Sequence, residues 1–372
     1  MKKFIFALLT FGVLLLVGCP TETNNTNNTP AQPNTDPTTD GKTYWKNYSY
    51  NPDHTEDVLD IYRSADEVRP AVMLIHGGAW ITVPGFEQQL GRAGMEQFKD
   101  LFLDNGFHVV NIDYRLIKFL GPDGTDYNDM LADVKSAVQY IYDHASEYKI
   151  DTSKIIMYGY SAGAHLAELY SYKVTDSPIP VALCVGRAGP ANFWNEKFRT
   201  CDVFGGFSAA AGMSSKQLAA AMKIGLSLLL KDNSINAIED AELASVIRVH
   251  LIKNLLGITA EYEDVTSDIN TIVSNEKAKE EDNGSNYISP ITAVSPITYV
   301  SSSSPRTILL HGKEDKLVDY SIAQDLAAKL QEFNVIYDFI TLDHSGHTLD
   351  NTDDTAQIKQ FEDKVLEVIS NL

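Results

Sequence analysis

The segment Gly159-Tyr160-Ser161-Ala162-Gly163 lies between an apolar, strand-like run, 154–158, and a helix-like run, 164–172. A serine between two nearby glycines fits a sharp strand-to-helix turn, where bulkier neighbours would clash. Such a turn exposes the hydroxyl at a helix N-terminus, whose dipole favours developing negative charge. The segment therefore predicts that Ser161 is a nucleophile at the end of a strand.

A second glycine-containing segment, His76-Gly77-Gly78-Ala79-Trp80, directly follows the apolar run 72–75. Two glycines after a strand allow backbone N–H groups to point together into a cavity. Acyl-transfer chemistry needs such donors, because they stabilise the oxyanion of the tetrahedral intermediate. The two segments together predict a serine-dependent acyl-transfer site.

These motifs resemble the α/β-hydrolase superfamily, in the branch of esterases and lipases that carries His-Gly-Gly-Gly or a close variant. They are also similar to the acetyl-xylan and feruloyl esterase-like carboxylesterases of that branch. The resemblance implies oxyanion donors at Gly78, Ala79 and Ala162, with Gly77 shaping the turn. Ala79 replaces the family's third glycine, but it retains a backbone donor. His76 is expected to orient this loop rather than to act as a base.

A base that could activate the serine is expected near the C-terminus. A serine hydroxyl is a weak nucleophile until a base takes its proton. The segment Asp343-His344-Ser345-Gly346-His347 follows the last predicted strand. The family places its base in a Gly-His pair on this loop, which implies His347, with His344 as the alternative.

The carboxylate partner of the base is expected in the segment 311–318, His-Gly-Lys-Glu-Asp-Lys-Leu-Val. Such an acid fixes the tautomer of the imidazole and stabilises the imidazolium. The family pattern of His-Gly, two residues, Asp, two residues and Val implies Asp315, with Glu314 and Asp319 as nearby alternatives. The resulting order of serine, aspartate and histidine along the chain is the order that this fold uses.

Short apolar runs alternate with amphipathic stretches of helical period along most of the chain. This pattern predicts an α/β fold with a mostly parallel, doubly wound sheet. Several runs are continuously apolar, as expected for strands covered on both faces. The predicted strands are 58–62, 71–75, 108–113, 155–158, 181–185, 307–310 and 335–342, and the predicted helices include 127–148, 320–333 and 355–369.

The alternation stops between about residues 191 and 288, where 214–231 and 235–256 predict two apolar-rich helices. This region is interpreted as a helical insertion before the strand that precedes the catalytic acid. It would be either a lid over the substrate pocket or an additional packing layer. The repeated Ser-Pro-Ile-Thr of 289–298 predicts extended chain, and the acidic run 280–282 predicts a solvated loop.

The N-terminus resembles a bacterial lipoprotein signal. Lys2 and Lys3 precede an apolar run, 4–17, that is shorter than the roughly 20 residues of a membrane-spanning helix. The sequence Leu16-Val17-Gly18-Cys19 resembles a lipobox. It implies a signal peptide over 1–18, lipidation of Cys19, and export to a bacterial membrane with the protein facing the periplasm or the cell surface.

Residues 19–42 consist mainly of Thr, Asn, Pro and Asp and predict a disordered tether, which leaves 43–372 as the hydrolase domain. The chain has a formal net charge of −20, which argues against nucleic acid as a partner. Cys184 lies in an apolar run and is expected to be buried, while a disulfide to Cys201 remains open. No metal-ligand spacing is present, so no metal or cofactor is expected.

These features predict a serine carboxylesterase that hydrolyses short-chain or carbohydrate-linked esters through an acyl-enzyme. A prolyl-oligopeptidase-like peptidase shares the order of the three catalytic residues, although that family usually carries an N-terminal propeller. The sequence is also compatible with a lipase and with a catalytically silent, lipid-anchored binding protein. Because a fold does not fix a substrate, the acyl and alcohol groups stay open.

Overall fold

A sheet of eight strands forms the centre of the protein, and the continuously apolar runs of the sequence supply its middle strands. The structure is a computed structural model that describes residues 43–82, 91–118, 124–202, 214–217, 219–220, 223, 236–257 and 269–372. The predicted signal peptide, the lipidation site Cys19 and the tether lie outside the described residues. No helix within the described ranges is long and apolar enough to cross a membrane.

The strands are β1 (Thr43–Ser49), β2 (Val58–Arg63), β3 (Arg69–Ile75), β4 (Ile81–Thr82), β5 (His108–Ile112), β6 (Ile117–Lys118), β7 (Ile150–Tyr160), β8 (Val181–Arg187), β9 (Arg306–Gly312) and β10 (Tyr337–Leu342). The strand order of the main sheet is β1-β2-β5-β3-β7-β8-β9-β10. The strand β2 runs antiparallel to both of its neighbours, and the six strands β5, β3, β7, β8, β9 and β10 are all parallel. The two short strands β4 and β6 pair with each other outside this sheet.

Helices cover both faces of the sheet, which confirms the predicted doubly wound α/β fold. The residues of β3 alternate between two apolar cores: Met73 and Ile75 face one, while Val72 and Leu74 face the other. The helices are α1 (Lys99–Leu103), α2 (Tyr127–Asp143), α3 (Ala145–Tyr148), α4 (Ala162–Lys173), α5 (Glu196–Arg199), α6 (Asp240–Leu255), α7 (Ile269–Asn283), α8 (Pro290–Val294), α9 (Tyr320–Glu332) and α10 (Thr355–Ser370).

Most of the segment 289–298 is helical, in α8 and in a short 3-10 helix, Pro296–Tyr299, so the prediction of extended chain was wrong. The Ser289 side chain accepts hydrogen bonds from the amides of Ile291 and Thr292, and a proline occupies the first turn of α8. A serine cap followed by proline starts a helix, because the cap satisfies free amides and proline has none to satisfy. The acidic run 280–282 was also misassigned: it lies in the last turns of α7, where Glu280 accepts the amide of Ser289.

Other boundaries differ from the predictions by a few residues. The last strand begins at Tyr337 rather than at 335, and the predicted helix 127–148 divides at His144 into α2 and α3. The edge strand β1 and the helix α7 were not predicted. Of the predicted helix 214–231, only residues 214–217, 219–220 and 223 are described, and all of these except Ser214 are helical.

The insertion between β8 and β9 contains helices and no strand in its described residues. Leu243 and Leu255 of α6 and Ile272 of α7 are buried in the same apolar core as one face of the sheet. These two helices therefore pack on the apolar core. A closed lid would bury the same face, so the lid and the additional packing layer both stay predictions.

A carboxyl group is buried beneath the sheet, where Glu168 of α4 faces β8. It is 1% exposed, and a Cβ added to Gly186 would lie 2.2 Å from Glu168 Oε1. Among the described residues, Oε2 has no hydrogen-bond partner. Burial raises the pKa of Glu168 from 4.5 to about 8. The folded protein therefore retains this proton at neutral pH, whereas the unfolded chain loses it.

We predict that Glu168→Gln makes stability less sensitive to alkaline pH. Because the folded protein binds more protons than the unfolded chain between about pH 4.5 and 8, the wild-type unfolding free energy falls across this window. The variant should match the wild type near pH 5 and exceed it by on the order of 2–4 kcal/mol at pH 8.5. Thermal unfolding at the two pH values measures the difference.

The exposed Glu281 provides the control, because its side chain lies at the surface and not in the interior. Glu281→Gln should reproduce the wild-type pH dependence. An equal stability gain for Glu168→Gln at pH 5 and pH 8.5 would contradict the assignment of a buried neutral acid.

Candidate active site

Ser161 occupies a strained turn between β7 and α4, with φ of 54°. This left-handed conformation is costly for a residue with a side chain and is typical of functional sites. The two flanking glycines permit the turn. A Cβ on Gly159 would lie 2.2 Å from the Gly163 carbonyl oxygen, and a Cβ on Gly163 would lie 2.0 Å from that of Ile75. The two glycines of the motif are therefore required because α4 packs directly against the ends of β3 and β7, with no room for a side chain at either position.

Three side chains meet at the carboxyl edge of the parallel strands, each from the turn or loop after a different strand. His347 Nε2 lies 2.9 Å from Ser161 Oγ, and His347 Nδ1 lies 2.8 Å from Asp315 Oδ2. Carboxyl ends of parallel strands meet at one edge of a sheet, which is where such folds build their sites. The structure thus brings the predicted nucleophile, base and acid into one hydrogen-bonded chain.

Asp315 is held as an ionised acceptor. It is 4% exposed, and its Oδ1 accepts hydrogen bonds of 2.9 Å from the amides of both Leu317 and Val318. Burial alone would raise the pKa of Asp315, but the charge of His347 and the hydrogen bonds from His311 and His347 outweigh it and hold this pKa below its ordinary value. The carboxylate can therefore stabilise an imidazolium at His347.

The loop that carries His347 is fixed by residues that the sequence did not indicate. Tyr160, next to the serine, donates a hydrogen bond of 2.9 Å from its hydroxyl to the His347 carbonyl. The buried carboxylate of Asp354 accepts from the amide of His344 at 3.0 Å and from the hydroxyl of Ser345 at 2.6 Å. Only the contacts of these residues, and no sequence pattern, reveal their part in the site.

The glycine-rich segment after β3 lies directly beside the serine. A Cβ on Gly77 would be 3.0 Å from Ser161 Cβ, so this position admits no side chain. Gly78, Ala79 and Trp80 all have positive φ angles, of 103°, 53° and 61°. Among the described residues, the amides of Gly78 and Ala79 donate no hydrogen bond. They are therefore available to a ligand beside Ser161, as is the N-terminal turn of α4 that begins at Ala162.

His76 lies beneath this loop and not against the serine. Its Nδ1 is 2.7 Å from the Gly77 carbonyl oxygen, its Nε2 is 3.4 Å from Asp113 Oδ1, and its ring stacks on Tyr114 at 4.4 Å. The Tyr114 hydroxyl also donates to the His76 carbonyl at 2.8 Å. These contacts agree with the expected orienting role.

The neighbouring candidates for base and acid make different contacts. His344 is paired with Asp354 rather than with the serine, and its side chain is 56% exposed. Asp319 caps α9 by accepting the amide of Ser321 at 2.9 Å. The Glu314 amide donates to the Ser345 carbonyl at 3.1 Å, and this hydrogen bond joins the loop that carries Asp315 to the loop that carries His347. Of these candidates, His347 and Asp315 are the ones that the hydrogen bonds join to Ser161.

The described residues contain no group of three or more His, Cys, Asp or Glu side chains that could hold a metal ion. Cys184 is buried, as predicted, and neither it nor Cys201 forms a disulfide. The chemistry that this arrangement can perform is that of an activated serine: a hydroxyl whose proton passes to an imidazole, beside backbone donors for an oxyanion.

The sequence model of the BD-FAE family matches residues 59–330, which is more than half of the chain. The chain belongs to the BD-FAE family. This membership confirms the predicted placement in the esterase branch of the α/β-hydrolases, a class of ester-hydrolysing enzymes. The matched range contains Ser161 and Asp315 and ends before His347.

Two curated relatives share part of the sequence. The non-reducing polyketide synthase atr1 of Stereocaulon alpinum is 30% identical over 154 residues, which cover 39% of this chain and 6% of that protein. The probable isoprenylcysteine alpha-carbonyl methylesterase ICMEL1 of Oryza sativa subsp. japonica is 34% identical over 112 residues, which cover 29% of this chain and 23% of that protein. The matched part thus spans less than a quarter of either relative.

A solved structure of a truncated carbohydrate esterase from gut microbiota superposes with a TM-score of 0.52 at 18% identity, and covers 87% of this chain and 95% of that one. At this identity the likeness shows the fold alone. It confirms the α/β-hydrolase fold that the two glycine-containing motifs predicted.

We predict that Gly163→Ala destabilises the protein by about 3 kcal/mol or more, because the new methyl group would collide with backbone atoms of β3 that cannot move aside. Equilibrium denaturation measures the loss, or soluble yield where the variant does not fold. The clash, rather than lost backbone freedom, is the cause, since Gly163 does not have a positive φ angle.

Gly106→Ala separates these two causes. Gly106 has φ of 83°, but nothing lies within 4 Å of an added Cβ. Strain alone should cost about 1–2 kcal/mol there. If Gly163→Ala cost no more than this control, the close contact of α4 with β3 would not be the constraint that we describe.

Proposed function

We propose that this protein is a serine carboxylesterase that hydrolyses short-chain or carbohydrate-linked esters through an acyl-enzyme intermediate. The observation that carries the proposal is the pair of hydrogen bonds linking Ser161 to His347, at 2.9 Å, and His347 to Asp315, at 2.8 Å. Membership of an esterase family and the glycine-rich loop beside the serine support it.

Acylation begins when Ser161 Oγ attacks the ester carbonyl carbon and His347 Nε2 accepts the hydroxyl proton. Asp315 accepts a hydrogen bond from the Nδ1–H of His347 and stabilises the imidazolium that forms. His347 then donates its proton to the alcohol oxygen, the carbon–oxygen bond of the ester breaks, and the alcohol leaves. The acyl group remains on Ser161 Oγ.

Oxyanion stabilisation falls to backbone N–H groups at Gly78, Ala79 and Ala162, with Gly77 shaping the loop so that it can approach the serine. Donors that are already oriented cost no reorganisation when the charge develops, so they lower the barrier more than water would. The position of Ala162 in the first turn of α4 adds the favourable end of the helix dipole.

Deacylation repeats these steps with water as the nucleophile. His347 takes a proton from the water as its oxygen attacks the acyl carbon, the bond to Ser161 Oγ breaks, and the proton returns to the serine. The carboxylic acid product leaves. No step requires a metal or another cofactor.

The substrate class in this proposal rests on the family and on two named similarities. The superposed structure is that of a carbohydrate esterase, and the plant relative is named a methylesterase. The first name indicates a carbohydrate ester, and the second indicates an ester with a small group on its alcohol side. We therefore propose a carbohydrate as the leading candidate for the alcohol, while the short acyl group rests on the motifs that resemble those of acetyl-xylan esterases.

The proposal includes export and anchoring at a bacterial membrane. The lipobox-like Leu16-Val17-Gly18-Cys19 and the polar segment 20–42 support a lipidated Cys19 joined to the hydrolase by a tether. Such an anchor would hold the enzyme at a membrane surface facing the periplasm or the exterior. Metabolic labelling with a palmitate analogue, abolished by Cys19→Ala, tests this part.

The test of activity is hydrolysis of a nitrophenyl ester series from acetate to decanoate. We expect the highest kcat/KM for acetate to butyrate, and a loss of at least about a thousandfold in Ser161→Ala. Ser153→Ala provides the control, since Ser153 is an exposed serine on the same strand. Acetylated xylan and methyl ferulate then distinguish the carbohydrate-linked candidates.

Other results would replace the proposal with a specific alternative. Turnover confined to long-chain emulsions would indicate a lipase, and cleavage of a peptide nitroanilide without ester turnover would indicate a peptidase. Ligand binding without turnover, unchanged by Ser161→Ala, would indicate a binding protein that lacks catalysis.

We predict that Asp315→Asn lowers kcat by roughly a thousandfold or more while the protein stays folded. An amide at this position donates to His347 Nδ1 and so favours the tautomer in which Nε2 cannot accept the serine proton. The matched control is Asp319→Asn, because asparagine caps a helix as well as aspartate does. Steady-state kinetics measure both, and equal activities would refute the role of Asp315.

A further inference from the structure

A second hydrogen-bonded histidine lies one turn beyond the serine in α4. The His165 amide donates to the Ser161 carbonyl at 3.1 Å, which is the first turn of the helix that Ser161 caps. The His165 side chain is fully buried and bonds at both ends: its Nδ1 is 3.1 Å from Trp80 Nε1, and its Nε2 is 2.8 Å from the Val294 carbonyl oxygen. The proposed reaction does not use this group.

The two partners determine the protonation of His165. An indole N–H can only donate, so His165 Nδ1 must accept and cannot carry a hydrogen. A carbonyl oxygen can only accept, so Nε2 must carry the hydrogen. Burial lowers the pKa of His165 to about 4, so the neutral ring that both bonds require persists at neutral pH.

Trp80, at one end of the hydrogen bonds that join it to His165 and Val294, lies next to a proposed oxyanion donor. Trp80 directly follows Ala79, and both have positive φ angles, of 61° and 53°. Each such residue is strained relative to an ordinary conformation, because its Cβ lies too close to the following carbonyl oxygen. The loop therefore needs contacts that hold it. The backbone supplies hydrogen bonds from the Ile117 amide to the Trp80 carbonyl at 2.7 Å and from the Ile81 amide to the Gly78 carbonyl at 3.2 Å, and the buried Trp80 side chain supplies a further contact.

At the other end of these hydrogen bonds, Val294 is the last residue of α8, which follows the insertion. The Ser295 hydroxyl donates to the Ile291 carbonyl at 2.7 Å and accepts the Phe193 amide at 3.1 Å, which fixes the end of α8. Phe193 also packs edge-on against the His165 ring, at 5.2 Å between ring centroids. The carbonyl that receives the His165 hydrogen is thus part of a rigid segment.

We propose that His165 is a positioning residue that holds the Ala79 amide in line with Ser161, by fixing the Trp80 indole to α4 and to α8. The proposal rests on the proposed esterase function, because the oxyanion is the group that Ala79 would bind. Loss of the indole bond lets Trp80 leave its strained conformation, and the neighbouring amide turns away from the developing charge. The ground-state ester, which depends less on this amide, is still bound.

Four variants test the proposal. His165→Leu removes both side-chain bonds, and Trp80→Phe removes only the indole donor while keeping a ring. His165→Gln keeps one acceptor and one donor. Tyr299→Phe is the matched control, because it deletes the 3.0 Å hydrogen bond from Tyr299 to the Ala293 carbonyl, beside Val294, without touching the oxyanion loop.

For nitrophenyl acetate, we expect His165→Leu and Trp80→Phe each to lower kcat about 10- to 100-fold with KM changed less than about threefold, the signature of an interaction made in the transition state. The double variant should lose little more than either single variant, since both remove the same bond. His165→Gln should recover most of the loss, and Tyr299→Phe should keep the wild-type kcat. Inhibition by phenylboronic acid should weaken in parallel with kcat.

Amide hydrogen exchange gives a readout that does not depend on turnover. In His165→Leu, exchange should accelerate in the peptide covering 76–82 and stay unchanged in the one covering 343–349. If the wild type hydrolyses esters and His165→Leu keeps its kcat and its exchange rates, the positioning role is overturned while the esterase stands. If no ester is hydrolysed but exchange rises in 76–82, the proposed reaction fails and the link from His165 to the loop holds.

Discussion

The contact between α4 and the end of β3 is the constraint on which the site depends. Gly163 lies so close to the Ile75 carbonyl that no side chain fits between them. Because the glycine-rich loop starts at the next residue, His76, this contact also fixes the distance from that loop to Ser161. One backbone approach thus places the proposed nucleophile and the proposed oxyanion donors relative to each other. The strained φ of Ser161 follows from the same approach, since the chain must turn from β7 into α4 within one residue.

The remaining groups are held by polar contacts together with close packing. Asp315 is fixed by two amides of its own loop, and the His347 loop is fixed by Tyr160 and by Asp354. Gly312 also lies so close to the Ser345 carbonyl that an added Cβ would be 2.2 Å from it. On the other side of the site, His165 connects Trp80 to Val294 by hydrogen bonds. The site therefore combines steric constraints with several polar ones.

The sequence predicted those parts of the fold whose physical cause is local. Continuously apolar runs indicated the middle strands, and the glycines around Ser161 indicated the turn. Both the burial of a strand and the lack of room at a turn depend on residues that are neighbours in the sequence. The edge strand β1 was missed because it is exposed on one side and mixes polar and apolar residues. The helix α8 was missed because a serine cap followed by proline also fits extended chain. Asp354, Tyr160 and His165 could not be found, since their partners lie 10, 187 and 129 residues away in the chain.

Asp354 links the His347 loop to the helix α10. It lies in the short turn that leads into α10, and it orders the loop on which His347 sits. The helix α10 docks through Phe361, Val365 and Val368 onto the second apolar core. The position of the proposed base therefore depends on the packing of α10 as well as on the sheet. A substitution that loosens Phe361 or Val365 in the second core should disturb the His347 loop, although neither residue belongs to the proposed site.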